Sequence, residues 1–493
     1  MSLSPSLLEL IAATLFALAV VHTFSTRFFE HLAHTQRAHA GLWHLLGEVE
    51  TVFGFWALLL LIAMSLINGW QPTVAYLDSR HFAEPMFVFV IMVIAASRPV
   101  MQLASDGVQR AARMLPLARP LAVFFVSLSL VPLLGSLITE PAAMTLAALM
   151  LRDTIFTRAV SRKLKYATLG VLFVNVSIGG TLTNFAAPPV LMVAAKWGWS
   201  TAYIFGVLGW KAAIAVFVNA ALTAWIFRAE ICAHGGSALN STKNAVPALF
   251  VAINVALLAT VVLTNAHPEV FMGLFLLFLG LAEAYKRHHD RLMLREGLMV
   301  AFFLAGLVVL GGQQQWWLQA LLARLDASTL FFGATALTAV TDNAALTYLG
   351  SQVEGISDAF KIALVAGAVA GGGLTVIANA PNPAAFAILK DTFDDGAINP
   401  FALFAAAIVP TAIAVLFLWG VEARGPIAEA FDSARWIAWF ASLDRSFLFL
   451  LILPFVVVAV GAWAELMRKS KKRPASATRG MTDGASLRSH ARE

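Results

Sequence analysis

The chain has 493 residues, of which 59% are hydrophobic and only 13% charged, and it carries a formal net charge of +6. A soluble domain is about a quarter charged; here apolar runs of about 20 residues, each able to cross a ~30 Å hydrocarbon core, recur from end to end, which excludes a string of soluble domains. The single cysteine, Cys232, excludes an intrachain disulfide, and the basic residues sit mostly in short loops and the tail, where they set topology and give no nucleic-acid signal.

Apolar segments fall at 5–27, 43–68, 84–105, 118–151, 164–197, 201–228, 246–265, 269–285, 297–316, 318–355, 359–390, 400–420 and 446–466. The first has no basic stretch ahead of Leu7 and no cleavage site after Val21, so it reads as a retained helix and not a signal peptide. Segment 118–151 is too long for one span and is broken by Thr139-Glu140-Pro141. After the break only about 10–12 apolar residues remain, which at 1.5 Å each reach half the bilayer. The spacing therefore predicts a re-entrant hairpin with the polar tripeptide at its tip. Segment 164–197 is interrupted by Gly179-Gly180-Thr181-Leu182-Thr183-Asn184, since clustered glycine breaks a helix. Both features then return. Segment 318–355 is broken by Thr341-Asp342-Asn343, and 359–390 by Gly371-Gly372-Gly373-Leu374-Thr375 and Asn379-Ala380-Pro381-Asn382-Pro383. Non-helical backbone at membrane depth survives only where protein or a wet cavity surrounds it.

The order helix, helix, hairpin, broken helix, helix describes 43–228 and again 268–420. Placing the basic run Arg468–Arg473 in the cytoplasm, with hairpins that return to the side they entered from, puts the loops with Arg110, Arg113, Arg119, Arg152, Arg158, Arg162, Lys163 and Lys165 inside. Lys286, Arg287, Arg291 and Arg295 follow them, while Arg80, Lys361, Arg424, Arg435 and Arg445 stay outside, an imbalance of the sense that positive-inside topology requires. The expected fold is an all-α polytopic membrane protein of about eleven transmembrane helices plus two re-entrant hairpins, in two inverted-topology repeats. Its parts are an N-terminal helix and cytoplasmic loop (1–42), the first repeat (43–228), a linker with one transmembrane helix (229–267), the inverted repeat (268–420), an extracytoplasmic segment with the last transmembrane helix (421–466) and a basic cytoplasmic tail (467–493), expected to be disordered. Local pairs match the repeats: Phe53-Gly54-Phe55-Trp56 with Met272-Gly273-Leu274-Phe275, Thr139-Glu140 with Thr341-Asp342, and Ala213-Ile214-Ala215-Val216 with Ala412-Ile413-Ala414-Val415.

Glu140 and Asp342 carry the chemistry. A carboxylate at membrane depth costs several kcal/mol and marks a functional site by default. Burial favours the protonated form of such a group and a bound cation favours the ionised one, so one carboxylate holds a proton or a cation in turn. The plain alternative is that each acid caps the helix after it. Thr181, Thr183, Asn184, Thr375, Asn379 and Asn382 add neutral oxygens of the kind hard cations take, with Thr139, Thr341 and Asn343 beside the acids; close helix packing alone would also explain the small residues. Lys211 lies deep in its segment and could modulate the site. For Arg98, Lys196 and Arg324 a snorkelling or structural ion-pair role fits better. Glu48, Glu50 and Glu283 read as interfacial, with a role in a proton path the alternative.

On these residues the chain resembles the sodium/proton antiporter family of the ion-transporter superfamily. The motifs that carry the likeness are Ser136-Leu137-Ile138-Thr139-Glu140-Pro141, Gly179–Asn184 with Pro188-Pro189, Thr341-Asp342-Asn343, and Gly372-Gly373-Leu374-Thr375 with Asn379 and Asn382. The resemblance spans about Gly41 to Trp419 and implies that each hairpin tip and its facing unwound helix hold a sodium ion or part of a substrate. Symporters of the superfamily carry a neutral Ser-Asn-Thr triplet at the tips; an acid at both tips here favours a cation as cargo. The expectation is a Na+/H+ antiporter working by alternating access, not an enzyme, with Asp342 and Glu140 holding the transported Na+ and no resident cofactor. Within that pair, Asp342, with Asn343 and Thr375, is expected to coordinate the cation more fully, and Glu140 to carry the proton. A Na+-coupled symporter of a small solute is the second reading. His31, His34, His39 and His44 in the first loop raise a third, a histidine-box metalloenzyme, although His288-His289 is the only further cluster. The expected surroundings are lipid, protons and the cation, in a bacterial-type inner membrane with the N-terminus outside and the C-terminus in the cytoplasm; a homodimer is left open.

Overall fold

The computed structural model describes residues 5–235, 245–322, 324–393 and 397–422. The expected last span at 446–466 and the basic tail lie outside the described residues. Among the described residues the fold is all-helical. Six helices among these residues are long and apolar enough to cross a membrane: Leu7–Phe24, Glu50–Asn68, Arg119–Ile138, Thr201–Ile226, Leu294–Gly311 and Pro400–Leu418. A seventh candidate is the bent pair Ala83–Ala95 and Arg98–Met114.

Several expected spans come out shorter than their apolar runs, each for a local reason. Segment 43–68 breaks at Glu48, whose extended backbone separates Ala40–Gly47 from Val49–Asn68. Segment 84–105 turns by 66° after Ala95. The Arg98–Met114 helix beyond the turn is amphipathic, burying Val100, Ala104, Val108 and Ala112 along one stripe, and Arg98 pairs with Asp290 at 3.4 Å. Segments 164–197 and 359–390 split at their glycine stretches into Arg162–Gly179 with Pro188–Trp197, and Asp358–Gly371 with Asn382–Leu389. Proline opens the second half in both cases, at the first turn where its missing N–H costs nothing.

The two polar tripeptides each end one helix and begin another. Leu130–Ile138 stops at Thr139, and Glu140–Leu151 packs back against it. Ala327–Thr338 ends before Thr341, and Asn343–Ser351 follows; the first of these arms lies along Asp358–Gly371. The later halves then exchange partners. Glu140–Leu151 packs on Asn382–Leu389, and Pro188–Trp197 packs on Asn343–Ser351.

Arg162–Gly179 is the central helix, buried from Leu169 to Gly179 and packed between Trp210–Ile226, Pro400–Leu418, Leu130–Ile138 and Asp358–Gly371. Its one amide, Asn175, donates to the carbonyls of Leu128 (2.7 Å) and Val216 (3.1 Å) and accepts from Asn219 Nδ2 at 2.9 Å; Asn219 also donates to Pro410 O at 3.2 Å. Four helices are thus joined through two side chains. Intramembrane hydrogen bonds contribute about 1–2 kcal/mol at most, so Asn175→Ala is expected to lower the melting temperature of the detergent-purified protein by several degrees, with its helical circular dichroism at low temperature unchanged.

Candidate ion site at the broken helices

Thr139 has φ 75° and ψ 151°, the one positive-φ residue other than glycine among the described residues. That conformation is strained for a side chain with a branched Cβ. It turns the chain sharply enough to bring Glu140 in as the first residue of the returning helix. Glu140 is 0% exposed, makes no cap hydrogen bond and has Pro141 behind it. Its Oε2 accepts from Asn379 Nδ2 at 2.9 Å, while Oε1 is buried with no partner. The capping explanation therefore does not account for Glu140. Gly180 lies against the carboxylate, so closely that a methyl group there would overlap Oε1.

Asp342 is placed differently. It is the N-cap of Asn343–Ser351, with Oδ1 accepting from Ala344 N at 2.8 Å and Ala345 N at 3.1 Å. It is half-buried and also lines a cavity of about 100 Å³ with Thr341, Asn379, Glu50 and Thr23. The helix ends correct the sequence pairing by one residue. Thr139 and Asp342 are the equivalent caps, so the positional counterpart of Glu140 is Asn343 and not Asp342. The glycines agree: as Gly180 abuts Glu140, Gly372 abuts Asn343, whose Nδ2 would lie 2.8 Å from an added methyl. Asn343 is 0% exposed, and both polar atoms of its amide lack a partner.

The remaining predicted donors divide into two groups. Asn379 Oδ1 and Asn382 Oδ1 are buried without partners, as is Thr139 Oγ1. Asn382 Nδ2 donates to the carbonyls of Gly372 and Thr375, both at 2.8 Å, and so holds the unwound stretch open as a loop. Thr375 donates to Ala339 O (2.8 Å), Thr183 to Ser136 O (2.8 Å), Thr181 to Ile178 O (2.6 Å) and Thr341 to Leu337 O (2.8 Å). Asn184 is turned elsewhere, donating to Trp199 O (2.8 Å) and accepting from Thr201 (2.7 Å). Asn379, read from sequence as a neighbour of Asp342, in fact bonds Glu140 and borders the Asp342 cavity as well, linking the two acids.

Two residues that the sequence reading did not count among the candidate ligands stand at the site. Ser136 Oγ donates to Gly179 O at 2.8 Å and accepts from Leu182 N at 2.9 Å, fastening the Leu130–Ile138 helix to the broken stretch at Gly179–Leu182. Ser177, buried and bonded to Val369 O at 2.8 Å, stands with Asn343 against Gly372. A serine in an apolar helix is common, so only position separates these two from the rest. Lys211 is 5% exposed, its ammonium 6.0 Å from the Trp210 ring centre. Lys196 and Arg324 are exposed, and Glu283 pairs with Lys286. In the first loop, the His34 and His44 rings meet edge to face at 5.8 Å. Among the described residues no three His, Cys, Asp or Glu side chains gather as metal ligands.

A search of curated proteins finds no match. The family described as "Putative Na+/H+ antiporter" matches residues 7–421, a stretch that contains Glu140, Asp342, both glycine-broken helices and the N-terminal helix. With its apolar helices and this match over most of its length, the chain is a multi-pass membrane protein that belongs to that Na+/H+ antiporter family.

Proposed function

We propose that the protein is a secondary active transporter that exchanges Na+ for protons by alternating access, with Glu140 as the group that holds one or the other. The observation that carries this reading is the fully buried Glu140 carboxylate, bonded on one oxygen to Asn379 and unpartnered on the other. A buried, half-satisfied carboxylate is stable when a proton or a cation completes it and unstable when bare. That exclusion couples the two fluxes. The unpartnered oxygen of Asn379 supplies a neutral ligand beside it, that of Asn343, whose N–H donates to Ala378 O next to Asn379, a second, and Asp342 supplies the second charge at the cavity side of the site.

The two halves form inverted repeats in this reading, about eleven spans with two hairpins that enter from opposite faces. Its support is the exchange of partners: the returning arm of each hairpin packs on the later half of the other repeat's broken helix. The basic ends set the orientation, with 152–165 and 286–295 in the cytoplasm. Alternating access then moves one part of each repeat against the rest. In everted vesicles, addition of Na+ should dissipate a respiration-generated pH gradient with no organic solute present; Li+ and K+ tested alongside rank the cargo. A response that appears only when a solute is supplied would make the protein a symporter.

Asn184 separates architecture from ligation. Both ends of its amide are engaged by the loop leading to Thr201. Asn184→Ala is expected to lower thermal stability by about 1 kcal/mol and to leave the Na+ concentration for half-maximal exchange unchanged.

A further inference from the structure

The helix Leu7–Phe24 stands outside both repeats, yet it is fixed to the first of them. His22 Nε2 lies 2.9 Å from Leu46 O, its Nδ1 accepts from Trp56 Nε1 at 3.0 Å, and the Phe16 ring meets that of Phe53 at 5.7 Å. The inner face so held forms one wall of the cavity in front of Asp342, through Phe16, Val20 and Thr23. Phe53 and Glu50 form the second wall, Val300 and Phe303 the third, and the hairpin tip with Asn379 the floor. At about 100 Å³ the cavity has room for several waters. Asn379, whose buried amide oxygen has no hydrogen-bond partner, is one of its lining residues. Glu50 sits in the first turn of its helix, at the end where Glu48 and Arg295 form an ion pair. Arg295 makes its close contact with Glu48 and acts on Glu50 only from farther away, and no described ion pair involves Glu50. Lys286, Arg287 and Arg291 lie in the loop just ahead of this end, which marks it as cytoplasmic by the positive-inside rule.

We propose that this cavity is the cytoplasmic entry for the transported monovalent cation, walled by the N-terminal helix, with Glu50 as the residue that draws the cation towards Asp342. Otherwise apolar walls focus the field of a carboxylate and raise the local cation concentration. Glu50 is then a positioning residue: it sets how readily the site fills and has no part in what the site does once filled. The proposal rests on the cation-transport reading above, and the test keeps the two apart.

Two measurements decide it. In a Cys232→Ser background, Thr23→Cys should react with a membrane-impermeant maleimide in everted vesicles and not in right-side-out ones. No reaction in either, or reaction only in the right-side-out vesicles, overturns the entry path, whatever the transported species. Glu50→Gln, assayed with Na+ in everted vesicles, should raise the half-saturating Na+ concentration about threefold to tenfold with the maximal rate retained, and Glu50→Asp should restore the wild-type value. An unchanged half-saturation, or a maximal rate lost in both variants, overturns the role of Glu50. If the wild type itself moves no protons on cation addition, the antiport reading falls, and the labelling result still stands or fails by itself.

Discussion

Glu140→Gln should abolish Na+-driven dissipation of the pH gradient, lowering the rate by about two to three orders of magnitude, because breaking a buried charged pairing costs about 3–5 kcal/mol. Glutamine keeps the length and can still bond Asn379, so folding is retained; what it loses is the ability to alternate between proton and cation. Asp342→Asn is the informative companion. Asparagine caps a helix as well as aspartate does, so the bonds from Ala344 N and Ala345 N can be kept and only the charge goes. If Asp342 were a cap alone, Asp342→Asn would transport as the wild type does. Loss of apparent Na+ affinity in that variant, with a normal elution profile on size exclusion, places the charge in the ion path. Wild-type rates for Glu140→Gln would end the role given to Glu140.

The second large effect comes from removing space and adding no charge. Gly180→Ala puts a methyl group where Glu140 Oε1 now lies. The carboxylate must move or the unwound stretch must shift, and overpacking of this kind costs about 1–3 kcal/mol. Because the carboxylate tip is the softer element, the expected result is a roughly tenfold to hundredfold rise in half-saturating Na+ concentration in a protein that still purifies as a folded species. Gly372→Ala probes the related position, where the methyl would press on Asn343 and Ser177. An unaltered Na+ dependence in Gly180→Ala would show that the cation does not sit at the Glu140 carboxylate.

The broken elements were legible because breaking a helix inside an apolar run needs unusual residues, and Gly179-Gly180 and Gly371-Gly372-Gly373 announce themselves. Both acids stood out for the same reason. What remained hidden was register and direction. Thr341-Asp342 looks like the match of Thr139-Glu140 when letters are compared, but a helix cap is defined by backbone conformation, and that pairs Glu140 with Asn343. Sequence likewise put Asn379 with the nearer acid along the chain, although its amide reaches Glu140, 239 residues away. Glu50, the second residue of its helix, read as interfacial; only the packing of three other elements around it reveals a cavity. The bend inside one expected span was hidden for a comparable reason. Hydropathy does not register the 66° turn after Ala95, because both sides of the turn have apolar faces.

The bond between Asn379 and Glu140 also bears on biogenesis. The acid is made in the first half of the chain and its amide 239 residues later, so during synthesis the membrane receives a carboxyl group well before the group that completes its pocket. A ribosome that stalls between them leaves a fragment with an acid and no built ion site. With Glu140 as the exchanging group proposed above, a chain released before Asn379 is made carries the acid without its hydrogen-bond partner and is expected to exchange no ions.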